Sequence, residues 1–161
     1  MSFQDWMAAL QAVILFLGLG ATFLTLSIHR KEAKNLATLN LIIHQRSDSE
    51  LNEALDIMTD LINSRQKYSD LSSYFNDRKS KEAQALLKVL NFREFVAVGI
   101  NSGIIDESTY KRAFCSTVLR DWDNLEHTVK AMRKEFNKET LFQDLEILAN
   151  RWKKKPLKCK S

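Results

Sequence analysis

The sequence predicts an all-α protein, in which a single N-terminal transmembrane helix precedes a cytosolic bundle of four to five helices. An uninterrupted apolar run lies near the N-terminus, and helical spacing of apolar residues follows it to the end of the chain. The 161 residues include only four Gly and one Pro. So few turn-forming residues argue against a sandwich, a barrel or a doubly wound sheet. The length suffices for one domain plus a short extra segment.

The apolar run covers residues 6–28 and contains no ionisable side chain. As a helix it is about 34 Å long, which is enough to cross a hydrocarbon core of about 30 Å. A buried core helix of this length would show a polar stripe. A cleaved signal peptide would begin with basic residues and end at a small-x-small site. Neither pattern is present, so we predict an uncleaved membrane anchor.

The charges that flank the run predict its orientation. Residues 1–5 form a short extracytoplasmic N-terminus that carries Asp5 and no basic side chain, whereas the juxtamembrane segment 29–35 carries Arg30, Lys31 and Lys34. Positive charge collects on the cytoplasmic side of a membrane. We therefore expect the N-terminus outside and the C-terminal domain in the cytoplasm, where cysteines stay reduced.

The first part of the predicted domain, residues 36–154, continues the anchor or follows it after a small kink. Leu36, Leu39 and Ile43, with Ile42 as a further candidate member, form an apolar stripe at helical spacing, which predicts a face that packs on the domain. The segment Ser47-Asp-Ser-Glu50 matches the S-x-x-E capping box. It predicts a second helix from about Asp48 to Ser64.

Three more helices follow. The third runs from Ser80 to a Gly103 cap and is apolar nearly all round between residues 86 and 100, which predicts the central helix. The fourth begins at an Asp106 N-cap. The last runs from about Glu139 to Lys154 and ends before Pro156. Amphipathic helices joined by short turns bury their apolar stripes against one another, so an up-and-down bundle is the expected arrangement.

Glu94 is the most informative polar residue, because it lies with Asn91 on one face of the least polar helix. A carboxylate there must lie near the surface, pair with a cation or bind a proton. We expect an ion pair with an arginine of the fourth helix, and the candidates are Arg112, Arg120 and Arg133. Gly99 is interpreted as a packing position that admits a close helix crossing.

Several of these residues recur in a known family. The chain resembles the domain-of-unknown-function 4760 family of bacteria and prophages over about Leu36 to Trp152. The resemblance rests on Asn91-Phe-Arg-Glu94, Val98-Gly-Ile100, Gly103, Ile105-Asp106-Glu107, Tyr110, Trp122, Arg133 and Leu148-Ala-Asn-Arg-Trp152. It implies a small single-pass protein of a bacterial inner membrane with a helical cytosolic part and a bacterial or phage origin. It also implies a role in phage–host conflict or in envelope interaction. The family provides no catalytic residues.

Patterns typical of catalysis are missing from the sequence. The three histidines are scattered, without H-E-x-x-H or C-x-x-C spacing, and there is no phosphate-binding glycine loop or G-x-S-x-G elbow. We expect no catalytic site, cofactor or metal ion. Cys115 is expected to be buried and inert, whereas Asp121 and Asp123 are expected to face water.

The C-terminus is basic, since residues 151–161 hold six Lys or Arg and no acidic residue. This end, with the tail 155–161, either contacts anionic lipid or is solvated, and each basic residue near an anionic leaflet gains about 1 kcal/mol. Nucleic acid is an unlikely partner, because no aromatic platform accompanies the tail. The candidate lipid contacts are Arg30, Lys31, Lys34, Arg151, Trp152, Lys153, Lys154, Lys155 and Lys158.

Three functions remain open on the sequence. The first is a non-enzymatic, membrane-anchored helical module that binds an unknown protein partner. The second is a basic-tail binder of anionic lipid or nucleic acid, and the third is an enzyme that uses Glu94 and Arg133. A homodimer through the anchor is a further hypothesis, because the anchor carries small residues such as the Ala8–Ala12 pair, Gly18, Ala21 and Thr25.

Overall fold

The computed structural model describes residues 3–64 and 71–157. The candidate lipid contact Lys158 and the cysteine Cys159 lie outside them, and so do the side chains of Ala8 and Ala12. The described residues contain no strand, which confirms the all-α prediction. They form five α-helices, which are α1 (Phe3–Ser47), α2 (Ser49–Asn63), α3 (Lys81–Asn101), α4 (Glu107–Phe136) and α5 (Gln143–Lys154), with a short 3₁₀ helix at Ser72–Asn76.

The first helix, α1, has 45 residues and no break between the predicted anchor and the predicted domain. It is about 67 Å long. Among the described residues it holds the one segment that is long and apolar enough to cross a membrane, and the most apolar part of that segment buries nothing inside the molecule. The predicted anchor, the predicted juxtamembrane segment and the start of the predicted domain are therefore one continuous helix.

The part of α1 that follows the apolar run packs on the bundle through a different face than the sequence predicted. Leu36, Leu39 and Ile43 are 61%, 49% and 64% exposed. The packing face instead carries buried Thr38 and Gln45, with half-buried Leu41 and Ile42 beside them. Of the predicted stripe only Ile42 packs on the bundle. The other three members were wrong, because the bundle holds α1 partly through hydrogen bonds, which apolar periodicity does not reveal.

The second and third helices pair antiparallel. Lys81, at the start of α3, lies 2.8 Å from Glu53 of α2, and Lys88 pairs with Glu50 one to two turns along. The capping box was assigned to the wrong residue. The side chain of Asp48, not of Ser47, accepts the N–H of Leu51 at 2.9 Å and caps α2. The third helix is capped by Ser80, as predicted.

The turn between α4 and α5 makes the last helix shorter than predicted. Asn137 and Phe142 both adopt left-handed backbone conformations, with φ of 52° and 54°. The first ends α4 and the second prevents an earlier start of α5. The fifth helix therefore begins at Gln143 rather than near Glu139.

The core surrounds α3, as the sequence predicted. Its inward residues are fully covered, and so are the two large indoles of α4 and α5, Trp122 and Trp152. Cys115 is buried as well. The largest apolar contributors from α3 are Leu86, Val89, Leu90, Val96 and Ile100.

The contacts along α1 fix the direction of each helix. Thr38 of α1 bonds Asp106 and Gln45 bonds Tyr110, so α1 and α4 run alongside each other in the same direction. The third and fifth helices run the opposite way. The apolar part of α1 therefore projects from one end of the bundle, the anchor end, which also carries the α3–α4 turn and the C-terminus of α5. The α4–α5 turn lies at the far end.

Candidate functional site

Four buried polar residues connect α1, α3 and α4, and we call Gln45, Arg93, Tyr110 and Asp121 the buried polar cluster. Arg93 and Asp121 are each only 2% exposed. Nε and Nη2 of Arg93 donate to Oδ2 of Asp121 at 3.0 and 2.8 Å. The hydroxyl of Tyr110 donates to Oε1 of Gln45 at 2.8 Å. The charges of the pair are thus neutralised inside the molecule.

The phenol of Tyr110 is locked in its protonated form. Burial raises the pKa of Tyr110 to about 12, and the neighbouring Arg93 guanidinium opposes this shift only in part. A protonated phenol is the form that donates to Gln45. The cluster therefore holds α1 against the bundle across the whole neutral range, and nothing in it is exposed to a substrate.

Glu94 caps another helix instead of pairing with an arginine. Its two carboxylate oxygens accept the backbone N–H groups of Asp144 and Leu145 at 3.2 and 2.8 Å. These are unpaired donors at the N-terminus of α5, where the N-cap residue Phe142 provides no side-chain cap. Burial raises the pKa of Glu94, although the two N–H groups act in the opposite direction.

The expected arginine partners of Glu94 lie elsewhere. Arg112 is exposed, and Arg120 donates to the outer oxygen of Asp121 at 3.1 Å. Arg133 donates to the carbonyl of Leu141 at 2.8 Å and to Glu146 at 2.6 Å. The ion-pair prediction for Glu94 was wrong because backbone N–H groups satisfy its carboxylate. Arg133 instead ties α4 to the turn and to α5.

A second network closes the anchor end of the bundle. Arg151 donates to Glu107 at 3.1 Å and to Asn101 at 2.8 Å, and the indole N–H of Trp152 donates to the same Glu107 oxygen at 2.8 Å. Trp152 is fully buried. It was therefore wrongly predicted as a lipid contact, because its ring packs in the core and its polar atom is satisfied there.

A groove lies at the anchor end between α1 and the α3–α4 turn, and we call it the anchor-end groove. Its volume is about 590 Å³. Ile104 at the turn is 65% exposed on its edge. The pKa of Asp106 is lowered, mainly by the backbone N–H of Thr109 and further by Lys34 and Lys31. The lining residues are Arg30, Lys31, Ala33, Lys34, Ala37, Gly103, Ile104 and Asp106.

Of the basic residues predicted at the C-terminus, Lys154 and Lys155 are exposed at this same end. Lys153 instead pairs with Asp123 at 2.5 Å. Asp123 is exposed, as predicted, but Asp121 is not. The anchor end thus carries Arg30, Lys31 and Lys34 at the groove. Lys154 and Lys155 lie at the same end of the bundle, on the C-terminus of α5.

The far end of the bundle carries a more enclosed cleft, the far-end cleft, of about 380 Å³. Exposed Asn91 lies at its edge, and Arg78 stacks 4.5 Å from the centre of the Phe136 ring. The cleft therefore combines the half-buried ring of Phe136 with two cations and an amide. Its lining residues are Phe75, Arg78, Leu87, Asn91, Met132, Phe136, Lys138, Leu141 and Phe142.

Gly99 makes room for a turn rather than for a crossing helix. A Cβ atom on Gly99 would lie 2.4 Å from Cδ1 of Ile105. The carbonyl of Gly99 also accepts the N–H groups of Ile104 and Ile105 at 2.9 and 3.0 Å. Gly103, at φ of 74°, supplies the left-handed residue that the α3–α4 turn requires.

The buried polar cluster was missed at the level of sequence, because single polar residues on mostly apolar faces resemble surface positions. Arg93 lies next to Glu94, and an arginine in the least polar helix was the available signal. Within residues 3–64 and 71–157, no group of three His, Cys, Asp or Glu side chains is placed to hold a metal ion.

Comparison with known proteins agrees with the sequence resemblance. The chain matches the family described as "Domain of unknown function (DUF4760)" over residues 12–152. No curated protein and no solved structure matches it. The matched range includes most of α1 as well as the bundle, so the apolar helix is part of the family's pattern. The chain belongs to the DUF4760 family.

Proposed function

We propose that this protein is a non-enzymatic helical interaction module, anchored by α1 at the cytoplasmic face of a bacterial inner membrane. The observation that carries the proposal is the continuity of α1 from its exposed apolar run into the bundle. The first part of α1 would lie in the membrane, and its last part packs on the bundle. Because both parts belong to one helix, the membrane anchor would set the position of the bundle.

The attachment of the bundle to α1 is rigid enough for this role. The hydroxyl of Thr38 accepts the N–H of Asp106 at 2.8 Å and donates to the carbonyl of Lys34 at 2.7 Å. Seven residues further on, Gln45 accepts from Tyr110. One partly buried and one buried bond, separated by two helical turns, resist both rotation and tilting of the bundle about α1.

The polar residues that sequence analysis considered for catalysis have structural partners. The carboxylate of Glu94 is occupied by two N–H groups of α5, and Arg133 is occupied by Leu141 and Glu146. A general acid or base needs access to a substrate proton. This arrangement favours binding over catalysis as the role of the domain.

The far-end cleft is the surface that best fits a protein partner. It is concave, and it combines the half-buried ring of Phe136 with the charges of Arg78 and Lys138. Aromatic residues and arginine are enriched where proteins bind one another. The cleft also lies at the end of the bundle away from the anchor, which leaves it open to the cytoplasm. We propose that a partner with acidic and apolar side chains binds there.

Photo-crosslinking in intact cells tests this function. A photoreactive amino acid at Asn91, in the cleft, should give a defined adduct, whereas the same group at exposed Ser116 on α4 should not. Arg78→Glu and Lys138→Glu should each weaken the adduct at residue 91. Equal adducts at both positions would contradict the proposal. Substrate turnover by the purified full chain that is lost in Glu94→Gln would establish an enzyme instead.

The anchor-end groove supports a second candidate function, the binding of anionic phospholipid. Residues 31–37 lie about 5 to 14 Å beyond the apolar run, which is the depth of the headgroup layer and the water next to it. The basic rim suits a phosphate, and exposed Ile104 suits the apolar region beneath it. The cations would each gain about 1 kcal/mol at an anionic surface.

An environment-sensitive fluorophore at Ile104→Cys, in full-length Cys159→Ser protein, tests the lipid contact. In phosphatidylcholine vesicles that contain phosphatidylglycerol, its emission should shift to the blue, and Lys31→Gln with Lys34→Gln should reverse the shift. The same fluorophore at Ser116→Cys should report no change. Identical emission from residue 104 with and without anionic lipid would remove this candidate.

A further inference from the structure

We propose that a second copy of this chain packs in parallel along one face of α1, both inside and outside the membrane. The face is defined by Gly18, Ala21 and Thr25 in the apolar run and by Leu36, Leu39 and Ile43 beyond it. We call it the α1 seam. The proposal rests on the proposed span of α1 but not on the far-end cleft or on lipid binding.

The part of the seam outside the anchor is an exposed apolar stripe. Leu36, Leu39 and Ile43 are half or more exposed although they lie beyond the apolar run. Their spacing of three and then four residues is the repeat with which two helices interlock. Thr38, which faces the bundle, lies two residues from Leu36 and therefore about 200° around the helix. A partner on the seam would not displace the bundle.

The part of the seam within the apolar run repeats this spacing with small residues. Gly18, Ala21 and Thr25 are each eighteen residues before Leu36, Leu39 and Ile43, respectively. Eighteen residues make five turns at 3.6 residues per turn, so both sets share one line along a straight helix. The hydroxyl of Thr25 donates to the carbonyl of Ala21 at 2.9 Å, which leaves no unpaired donor on the seam in lipid.

The change of residue type along the seam follows the change of solvent. In lipid, apolar bulk drives no association, and small residues favour packing because they let helix backbones approach closely. In water, the burial of exposed leucine and isoleucine is itself the driving force. Each half of the seam therefore carries the residues that associate in its own medium. Contact with lipid would explain the apolar residues inside the membrane, but it does not explain the exposed Leu36 and Leu39 beyond the apolar run.

A second copy is the occupant that fits both halves. Chains inserted in the same orientation present the same residues at the same depth. In a dimer with a two-fold axis parallel to the helices, each seam residue therefore faces the same residue of the second copy. The side chains Asn35 and Asn40, which flank the outer part of the seam, are uncharged. His29 and Glu32 lie near the same line at headgroup depth, 3.5 Å apart, where water still reaches them.

Two glycines provide a matched pair for the test. Gly18 lies on the seam, whereas Gly20 lies about 200° away from it. Neither has another atom within 4 Å of an added Cβ, so a single chain accepts a side chain at both. A larger side chain should therefore be harmless at both positions in a single chain. In the proposed dimer it should interfere at Gly18 but not at Gly20.

The experiment measures disulfide formation between full-length chains in native membranes. Cys159→Ser is the background, because Cys115 is buried. Ile43→Cys should crosslink about ten times faster than His44→Cys, its exposed neighbour that points away from the seam. Gly18→Ile should slow the reaction at residue 43 by a similar factor, and Gly20→Ile should not. Equal rates at residues 43 and 44, or equal effects of the two glycine variants, would overturn the proposal.

Extraction of the same membranes with alkaline carbonate separates the possible failures. Chains that stay in the pellet but crosslink without position dependence would disprove the dimer alone. Chains that move to the supernatant would disprove the span of α1 and the dimer with it.

Discussion

The hydroxyl of Tyr110 donates to Oε1 of Gln45 across 2.8 Å, and both residues are buried. One residue belongs to the long helix that carries the apolar run and the other to the first turns of α4. This bond therefore joins the proposed anchor to the bundle. It lies beside the Arg93–Asp121 pair, so the attachment of α1 and the neutralisation of the core occur at one place.

Tyr110→Phe should change the response of the protein to alkali. The native pKa of Tyr110 is about 12 and its ordinary value is 10.0, so the folded state holds the proton more strongly. The stabilisation is complete below pH 10 and is lost as the pH rises to 12. The variant should lose about 1 kcal/mol at pH 7, the value of one buried hydrogen bond, and should decline less steeply above pH 10. Urea unfolding of both proteins in detergent, from pH 7 to above pH 10, measures these free energies. Equal decline of the unfolding free energy with pH in the wild type and in the variant would contradict the prediction.

The Arg93–Asp121 pair should be costly to break from one side. Asp121→Leu leaves a buried guanidinium without its partner, which costs about 3 to 5 kcal/mol. Arg93→Met combined with Asp121→Leu should recover most of that loss, because neither charge then remains. Arg120→Ala, which removes the exposed second partner of Asp121, should change little. Thermal unfolding of the four proteins provides the comparison, and a double variant no more stable than Asp121→Leu would exclude the pairing.

Glu94 should stabilise the fold mainly through its oxygen atoms as hydrogen-bond acceptors, and less through its negative charge. Glu94→Ala removes the cap of α5 and should cost about 1 to 2 kcal/mol. The raised pKa means that the folded state favours the protonated form, so Glu94→Gln should cost less than Glu94→Ala. The wild-type unfolding free energy should also fall slightly as the pH rises through the ordinary value of 4.5 towards the raised one, and Glu94→Gln should abolish that fall. Equal losses in the two variants would show that the carboxylate acts as an ion.

Gly99 and Ile105 should be coupled. Gly99→Ala places a methyl group against the Ile105 side chain, where the separation would be only 2.4 Å. Such overpacking costs about 1 to 3 kcal/mol. Ile105→Ala should be destabilising alone but should relieve most of the cost of Gly99→Ala in the double variant. Strictly additive losses in a double-mutant cycle would contradict the contact.

The helices could be predicted from the spacing of apolar residues and from capping residues at the helix ends, both of which depend on nearby sequence. Ser80 and Asp106 cap the helices that begin after them, because a cap depends only on the next three residues. Gly103 ends α3 for a similarly local reason. Apolar residues on most sides of α3 predicted its central position, because such a helix buries most of its surface. One side of α3 stays uncovered, where Phe95 and Val98 are 64% and 41% exposed.

The pairing of polar residues did not follow from the sequence, because each pair joins distant parts of the chain. Glu94 and Leu145 are 51 residues apart, and Arg93 and Asp121 are 28 apart. Which of two adjacent residues, Arg93 or Glu94, finds an ion-pair partner on α4 depends on a rotation of about 100° around α3. The exposed Leu36, Leu39 and Ile43 were misassigned because periodicity identifies an apolar face but not what covers it.

The most direct test of this account is the behaviour of untagged full-length protein in membranes treated with alkaline carbonate. We predict that it remains in the pellet and that detergent releases it. We also predict that Gln4→Cys reacts with an impermeant maleimide added outside the cells, whereas Leu157→Cys does not. Recovery of the protein in the carbonate supernatant, or labelling of residue 157 alone, would contradict an anchor that places the bundle in the cytoplasm.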